Sequence, residues 1–268
     1  MAELEEHFED GVLTLTMNRP EARNAMSNEM MSALNAAVPR AAADPEVRCL
    51  VLTGAGGAFC AGGDVKGFAS SASSNESEGA GPSLDDRIYS LRQQMETSRL
   101  LHEMPKPTLA IIPGPAAGAG LSLALACDMR FCLDTAKLTT AFGKIGASGD
   151  YGGSWFLPRL VGAAKARELY FTSDVITGQQ AYEFGMVTKV ASADTFEEES
   201  KAYARYLASL PTVAIGYMKK NLNASNQTSL SDVFDLEAMH MMRSFTTEDH
   251  KRAAVAFVNK EAPEFKGR

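Results

Sequence analysis

The chain has 268 residues, of which 45% are hydrophobic types, and a formal net charge of −7. This length can bury a substantial core, either in one large domain with an appendage or in two modest domains. Lysine and arginine are scattered rather than clustered, which argues against a nucleic-acid footprint and against an anionic membrane surface as a partner. We therefore expect small molecules or further copies of the chain as partners.

The four cysteines lie in or beside apolar runs and form no C-x-x-C pair, which favours buried free thiols over zinc ligands or disulfides. They are Cys49, Cys60, Cys127 and Cys132. Such thiols predict a reducing compartment, and we expect a cytoplasmic protein. The acidic first ten residues contain no apolar signal core, and the longest small and apolar run, residues 111–127, is interrupted by proline and glycine. That run is too short to span a bilayer, so we expect no membrane association.

Strands and helices alternate along the first part of the chain. Residues 11–18 alternate apolar and polar side chains, which predicts a strand with one buried face. Ser27 can cap a helix whose apolar side includes Met30 and Leu34. Residues 48–53 form a continuous apolar run, which predicts a buried strand, and a glycine-rich segment, residues 54–64, follows at once.

This glycine-rich segment raises the possibility of a nucleotide-binding loop. It has no Gly-Lys-Ser/Thr ending, and its glycine spacing does not match the dinucleotide-binding fingerprint. A better physical interpretation is that Gly62 and Gly63 leave a backbone N–H uncovered, which could help to hold a single oxygen.

A second run of small residues, 114–128, leads without a break into an apolar helical pattern. Gly118, Ala119 and Gly120 would leave backbone N–H groups uncovered where that helix begins, and the helix dipole there favours an oxyanion or a phosphate. The alternative is that the small residues serve close helix packing. A pair of such N–H groups, one near Gly63 and one near Ala119, could stabilise negative charge without a catalytic side chain.

The remaining segments add a polar loop, two strands and one notable carboxylate. Residues 70–83 have almost nothing to bury, which predicts a mobile loop beside whatever Gly62 and Gly63 bind. Residues 108–112 and 129–133 are predicted strands, and residues 139–154 form a glycine-rich loop. In that loop Asp150 could cap the following helix. If it lies in an apolar pocket instead, its pKa would rise and it could transfer a proton.

The chain from residue 194 onwards is predicted to be mostly helical. Leu230, Val233, Phe234, Met241 and Phe245 keep one apolar stripe along it, which indicates either core or a contact between subunits.

Six motifs occur in order along the chain: Asn-Arg-Pro-Glu-Ala-Arg-Asn-Ala at 18–25, Leu-Thr-Gly at 52–54, Ala-Phe-Cys-Ala-Gly-Gly-Asp at 58–64, Lys-Pro at 106–107, the segment 114–128, and Gly-Gly at 152–153. This set closely resembles the crotonase (enoyl-CoA hydratase/isomerase) superfamily over nearly the entire chain. The resemblance implies an α/β fold, the crotonase (ClpP-like) spiral of repeated ββα units, over residues 1–193. It implies a helical region over 194–268 that forms a homotrimer, often as a dimer of trimers. It also implies acyl-CoA thioester substrates, no metal and no separate cofactor, since coenzyme A is part of the substrate.

The resemblance also assigns roles to individual positions. The backbone N–H groups of Gly63 and Ala119 fall on the family's oxyanion hole. The contacts to the CoA part of the substrate fall near Arg23, Ala25, Ala61, Gly62 and Lys66, with help from a neighbouring subunit around Phe257 and Lys260. Three further residues, Ser122, Phe142 and Tyr151, are expected to shape the acyl pocket.

Two departures from the family pattern bear on the reaction. Hydratases of the family resemble one another in carrying two glutamates, and those positions here are Ser122 and Phe142. Asp150 falls where isomerase-like members carry an acid, and its surroundings look most like the phenylacetate-pathway ring-epoxide isomerases. Glu168 matches no catalytic position.

The leading hypothesis is therefore an acyl-CoA isomerase in which Asp150 is the general acid and base. An enoyl-CoA hydratase with Asp150 alone positioning water, and a catalytically silent acyl-CoA-binding protein, are the alternatives.

Overall fold

The structure, a computed structural model, describes residues 2–63 and 82–268. Lys66 and residues 70–81 of the predicted mobile loop lie outside the described residues. The main sheet has six strands in the order β1-β2-β3-β4-β6-β9, in which β1 is antiparallel to β2 and the other neighbours are parallel. Its strands are β1 Leu4–Glu9, β2 Val12–Met17, β3 Cys49–Gly54, β4 Thr108–Ile112, β6 Met129–Leu133 and β9 Lys189–Ala191.

A second, three-stranded sheet has the order β5-β7-β8. Its strands are β5 Ala116–Ala117, β7 Lys137–Thr139 and β8 Ile176–Thr177. Consecutive strands such as β4 and β5, or β6 and β7, thus belong to different sheets, and a helix follows each pair. This arrangement agrees with the predicted ββα units.

Helices cover both faces of the main sheet. In order along the described chain they are α1 Asn28–Ala43, α2 Leu84–Gln94, α3 Glu96–Glu103, α4 Ala119–Ala126, α5 Gly153–Val161, α6 Ala163–Thr172, α7 Gly178–Glu183, α8 Phe196–Ser209, α9 Thr212–Ser225, α10 Leu230–Phe245 and α11 Glu248–Asn259. The Ser27 hydroxyl caps α1 by accepting the Met30 N–H at 3.0 Å, as the sequence predicts.

The core lies on both sides of β3, because this strand is buried on both faces. Leu50 and Leu52 pack on one face with α1 and α4. Cys49 and Val51 pack on the other face against α8. A continuous apolar strand is what a parallel sheet with two covered faces requires. The four cysteines are buried free thiols, as predicted.

A buried ion pair joins the last helices to the sheet. Lys219 on α9 donates to Asp128 Oδ2 at 2.8 Å and to the Leu101 carbonyl oxygen at 2.9 Å. The same carboxylate oxygen accepts the backbone N–H of Thr108, at the start of β4, at 2.8 Å. A buried lysine of this kind requires partners for its charge, and this one finds them on the sheet.

The outer surface of α9 to α11 is rich in exposed apolar side chains. Phe234 is 58% exposed, Phe257 is 85% exposed, and methionines and leucines lie beside them. The apolar stripe predicted for α10 is therefore largely on the surface of the single chain. Within residues 2–63 and 82–268, no helix combines the length and the hydropathy needed to cross a membrane.

Candidate active site

The two glycine-rich segments lie side by side. Cys60 and Ala116 form a parallel β-bridge, and the Ala117 N–H donates to the Cys60 carbonyl oxygen at 2.9 Å. A methyl group on Gly62 would lie 2.7 Å from the Ala117 carbonyl oxygen and 3.4 Å from the Ala119 nitrogen. Gly62 also has a φ of +91°, so both the close approach and the backbone conformation require glycine.

Close packing accounts for one residue of the second segment. A methyl group on Gly120 would lie 2.5 Å from the Cys60 carbonyl oxygen, so glycine lets α4 approach the residue 60–63 segment. The packing interpretation and the oxyanion interpretation of this segment are thus compatible. Close packing explains Gly120, and the oxyanion interpretation concerns the preceding residue, Ala119.

The N–H groups of Gly63 and Ala119 meet no acceptor within the described ranges 2–63 and 82–268. Their neighbours in the chain are engaged, because Gly62 donates to the Cys60 sulfur at 3.4 Å and Gly118 donates to the Thr139 carbonyl oxygen at 3.1 Å. Ala119 is the first residue of α4, where the positive end of the helix dipole adds to its attraction for negative charge.

Both N–H groups belong to residues that line one cavity of about 900 Å³. Among the described residues its wall includes Gly63, Ala119, Asp150 and Tyr151 of the predicted site, together with Met26, Ser27, Asn28, Pro82, Asp86, Arg87, Ser90, Leu91 and Gln94. The structure therefore brings both predicted oxyanion donors and the predicted acid into a single cavity.

Asp150 does not cap a helix, so that alternative is wrong. Gly152 is the N-cap of α5, and no side chain caps this helix. Asp150 Oδ1 is buried and has no hydrogen-bond partner among the residues described. Burial raises the pKa of the Asp150 carboxyl to about 6, because the charged form loses hydration that nothing replaces. A carboxyl in this state can exchange a proton near neutral pH.

Four of the predicted CoA contacts, Arg23, Ala25, Ala61 and Gly62, lie in or beside the oxyanion segment. The Arg23 carbonyl oxygen accepts the Ala61 N–H at 2.9 Å, and the Gly62 carbonyl oxygen accepts the Met26 N–H at 2.8 Å. Residues 23–26 therefore run alongside residues 61–63. Arg23 is exposed and Ala25 is buried, and both border the cavity segment without contributing to its wall.

Ser122 and Phe142 are buried behind the cavity wall and do not line it. The Ser122 hydroxyl donates to the Gly118 carbonyl oxygen at 3.2 Å. Phe142 stacks on Tyr170, with ring centroids 5.9 Å apart. A methyl group on Gly153 would stand 2.3 Å from both Ser122 Oγ and the Tyr170 hydroxyl oxygen, so the start of α5 packs closely against both side chains.

Sequence reasoning missed Tyr170 and the polar wall that α2 provides. Arg87, Ser90, Leu91 and Gln94 follow the spacing of one helical face, and all line the cavity. The apolar spacing of Ile88 and Leu91 suggests a buried face instead, but α2 buries none of its side chains. The helical spacing of the polar residues in α2 was the sequence signal that could have indicated this cavity wall. Tyr170 lies in an ordinary helical stretch, and its sequence contains no comparable signal.

Comparison with known proteins identifies the family of the chain. The family model described as enoyl-CoA hydratase/isomerase matches residues 7–268. The chain is 35% identical to the 1,2-epoxyphenylacetyl-CoA isomerase of Escherichia coli K12, over 98% of this chain and 97% of that protein. It is 32% identical to the crotonyl-CoA hydratase of Syntrophomonas wolfei, over 96% of this chain and 95% of that one.

Among solved structures, an enoyl-CoA hydratase from Polaromonas sp. JS666 aligns with a TM-score of 0.88 at 31% identity, covering 98% of this chain and 99% of that one. The resemblance and the crotonase fold predicted from the motifs are thereby confirmed. The chain is an enzyme of the enoyl-CoA hydratase/isomerase family.

Proposed function

We propose that this enzyme is an acyl-CoA isomerase that shifts a double bond or opens a ring epoxide through an enolate. In this proposal Asp150 is the general acid and base, and the N–H groups of Gly63 and Ala119 hold the thioester oxygen. The CoA part of the substrate contacts a group of five residues, namely Arg23, Ala25, Ala61, Gly62 and Lys66. Tyr151 borders the acyl group, with Ser122 and Phe142 supporting the pocket from behind.

One observation carries the proposal: in the cavity that Gly63 and Ala119 also line, a buried carboxylate oxygen of Asp150 has no hydrogen-bond partner among the described residues. An unpaired buried carboxyl is unfavourable for stability, so its retention calls for a functional reason. With a pKa of about 6, the carboxylate is ionised at neutral pH and basic enough to accept a proton from carbon beside a thioester.

The chemistry follows from these groups. When the Asp150 carboxylate removes a proton from the acyl chain, the electron pair moves into the thioester carbonyl and its oxygen becomes negative. The two N–H groups stabilise that oxygen, and losing one such donor typically costs about a hundred- to a thousandfold in rate. The protonated Asp150 then returns the proton to a different carbon, so the product has the composition of the substrate.

The lack of a glutamate at both hydratase positions favours isomerisation over hydration. Addition of water needs one group to activate the water and another to protonate carbon. The positions of the family's hydratase glutamates are Ser122 and Phe142 here, and neither residue carries a carboxylate. The name of the Escherichia coli relative supports an isomerase, and that of the Syntrophomonas wolfei relative supports a hydratase.

Proton exchange distinguishes these functions. The protein is incubated with a 3-enoyl-CoA, a 2-enoyl-CoA and a ring-epoxide CoA thioester in deuterated water, and the products are analysed by mass spectrometry and NMR. An isomerase gives an isomeric product with deuterium at the α- or γ-carbon, and Asp150→Asn abolishes this exchange while acyl-CoA still binds. A hydrated product instead identifies a hydratase. Binding without exchange or turnover identifies a silent acyl-CoA-binding protein and overturns the proposal.

The same proposal extends to assembly. The exposed apolar side chains of α9 to α11 support a homotrimer or a dimer of trimers formed through residues 194–268, with residues 1–193 as the spiral core. In such an assembly Phe257 and Lys260 would contact the CoA of a neighbouring subunit. Analytical ultracentrifugation tests this assembly, and a monomer at micromolar concentration would contradict it.

A cytoplasmic location is part of the proposal and is supported by the four free thiols.

A further inference from the structure

A short chain of hydrogen bonds connects three elements around the cavity. The Tyr151 hydroxyl donates to Gln94 Oε1 at 3.3 Å, and Gln94 Nε2 donates to Asn28 Oδ1 at 2.8 Å. Gln94 is the last residue of α2 and Asn28 is the first of α1. All three side chains belong to residues that line the cavity. The loop that carries Asp150 is thus linked through Gln94 to the opposite wall.

The Tyr151 backbone needs such support. Its φ is +50°, in the left-handed region that a bulky side chain rarely adopts. Its side chain is only 3% exposed, so packing and the bond to Gln94 hold it in this conformation. Because Asp150 and Tyr151 share a peptide group, any relaxation of the Tyr151 backbone would move the Asp150 carboxyl.

The other end of the hydrogen-bond chain lies near the oxyanion donors. Asn28 follows Met26 by two residues, and Met26 forms a β-bridge with Gly63. The hydrogen bonds therefore span the cavity from the segment paired with Gly63 to the neighbour of Asp150. Gln94 is the middle member, and both of its amide atoms are used.

We propose that Gln94 is a positioning residue that holds Asp150 at a fixed separation from the N–H groups of Gly63 and Ala119. It does so by accepting the Tyr151 hydroxyl hydrogen while donating to Asn28. This inference rests on the proposed role of Asp150 as the acid and base.

Removal of this hydrogen-bonded support is expected to lower the pKa of the Asp150 carboxyl. A relaxed loop admits water to the buried carboxyl, and hydration lowers the pKa of Asp150 from about 6 towards its ordinary value of 3.8. Among the described residues, the other ionisable groups that share its cavity or interact with it are Asp86 and Arg87 on α2, the Tyr151 phenol and the Tyr170 phenol on α6, and the buried Cys60 thiol lies near Tyr151. Replacing Gln94 by methionine changes the charge of none of them.

The test compares Gln94→Met, Tyr151→Phe and the double variant with Gln93→Met, an exposed neighbour on the same helix. The reaction is α-proton exchange of a 3-enoyl-CoA in deuterated water, followed as a function of pH. Each single change is expected to lower kcat about tenfold with KM changed less than about twofold, because misplacement of the base affects the reaction step. The double variant should be no slower than the slower single variant, because both changes remove the same bond.

The pH profile separates positioning from a loss of folding. The acid limb of the kcat profile should move to lower pH in Gln94→Met and in Tyr151→Phe, and stay in place in Gln93→Met. Multiplicative losses in the double variant, an unmoved acid limb, or an equal effect of Gln93→Met would each overturn the inference. Melting temperatures of all variants identify any that are unfolded under the assay conditions.

Asp150→Asn, measured in parallel, keeps the two proposals distinguishable. If Asp150→Asn retains the wild-type exchange rate, the proposed function itself fails. If Asp150→Asn abolishes exchange while Gln94→Met retains the wild-type kcat and acid limb, only the positioning role of Gln94 fails.

Discussion

The Tyr170 hydroxyl lies against the α-carbon of Gly153, at a point where an added methyl group would stand 2.3 Å from the phenol oxygen. The same methyl group would stand 2.3 Å from Ser122 Oγ. The first residue of α5 is therefore fixed between α4 and α6 by contact with both. Because Asp150 precedes it by only three residues, this contact also limits where the carboxylate can lie.

Replacing Gly153 by alanine tests this contact. The methyl group must displace α5 or both hydroxyl groups, so we expect the free energy of unfolding to fall by about 1–3 kcal/mol. We also expect acyl-CoA turnover to fall, because displacement of α5 moves the Asp150 loop. Chemical denaturation and steady-state kinetics measure the two effects. Ser154→Ala changes the next, exposed residue and provides the control; a Gly153→Ala variant as stable and active as Ser154→Ala would contradict the prediction.

Ala119→Pro removes one oxyanion donor with little change to the helix. Ala119 is the first residue of α4, a position where proline is readily accepted because its missing N–H has no partner within the helix. We expect kcat/KM to fall by about a hundred- to a thousandfold, with a small change in melting temperature. Ala119→Gly keeps the N–H and measures the effect of the side chain alone. A proline variant that remains as active as the glycine variant would exclude this N–H from the reaction.

Asp150→Asn is expected to stabilise the protein at alkaline pH. The folded-state pKa of about 6 lies above the ordinary value of 3.8, so the folded state binds the extra proton more readily than the unfolded state does. The stability of the wild type therefore falls as pH rises through this range, whereas asparagine does not titrate. We expect Asp150→Asn to melt about 2–4 °C higher at pH 8, and no higher at pH 4 or below. A lower melting temperature at pH 8 would indicate that the charged carboxylate has a favourable partner.

The rate of the reaction should depend on the ionisation of Asp150. If Asp150 must be ionised to accept a proton, kcat/KM for a 3-enoyl-CoA falls with decreasing pH below about 6. Asp86→Asn offers a matched comparison, because Asp86 also lines the cavity while its hydrogen bonds from Ser83 lower the pKa of its carboxyl. The acid limb should be unchanged in Asp86→Asn. An acid limb that shifts in Asp86→Asn would indicate that Asp86, rather than Asp150, is the base.

Much of the fold could be predicted from local patterns. The apolar run at residues 48–53 became β3, and Ser27 caps α1, because both signals depend on nearby residues and on burial alone. The glycine-rich segments suggested that N–H groups near Gly63 and Ala119 could act as a pair, and the motif resemblance assigned the pair to these two positions, since residues so far apart along the chain carry no local signal of their contact.

The rest depended on long-range packing. Asp150 could equally have capped a helix on its local sequence, and only the folded structure, in which it lines the cavity and Gly152 is the N-cap, distinguishes the two cases. Ile88 and Leu91 have the spacing of a buried helical face, yet they are 58% and 41% exposed. The cavity contacts of Gln94 arise from three segments that meet only in the folded chain. Periodicity within one segment cannot indicate such contacts.

The bond from Lys219 to Asp128 spans 91 residues. During synthesis on the ribosome, Thr108 and Asp128 therefore emerge well before the ammonium group that neutralises the Asp128 carboxylate. Until α9 has been made, this end of the sheet holds a carboxylate whose burial would be unfavourable. The last helices thus supply the cation at the start of β4, and a chain that ends before α9 lacks the charge partner of Asp128.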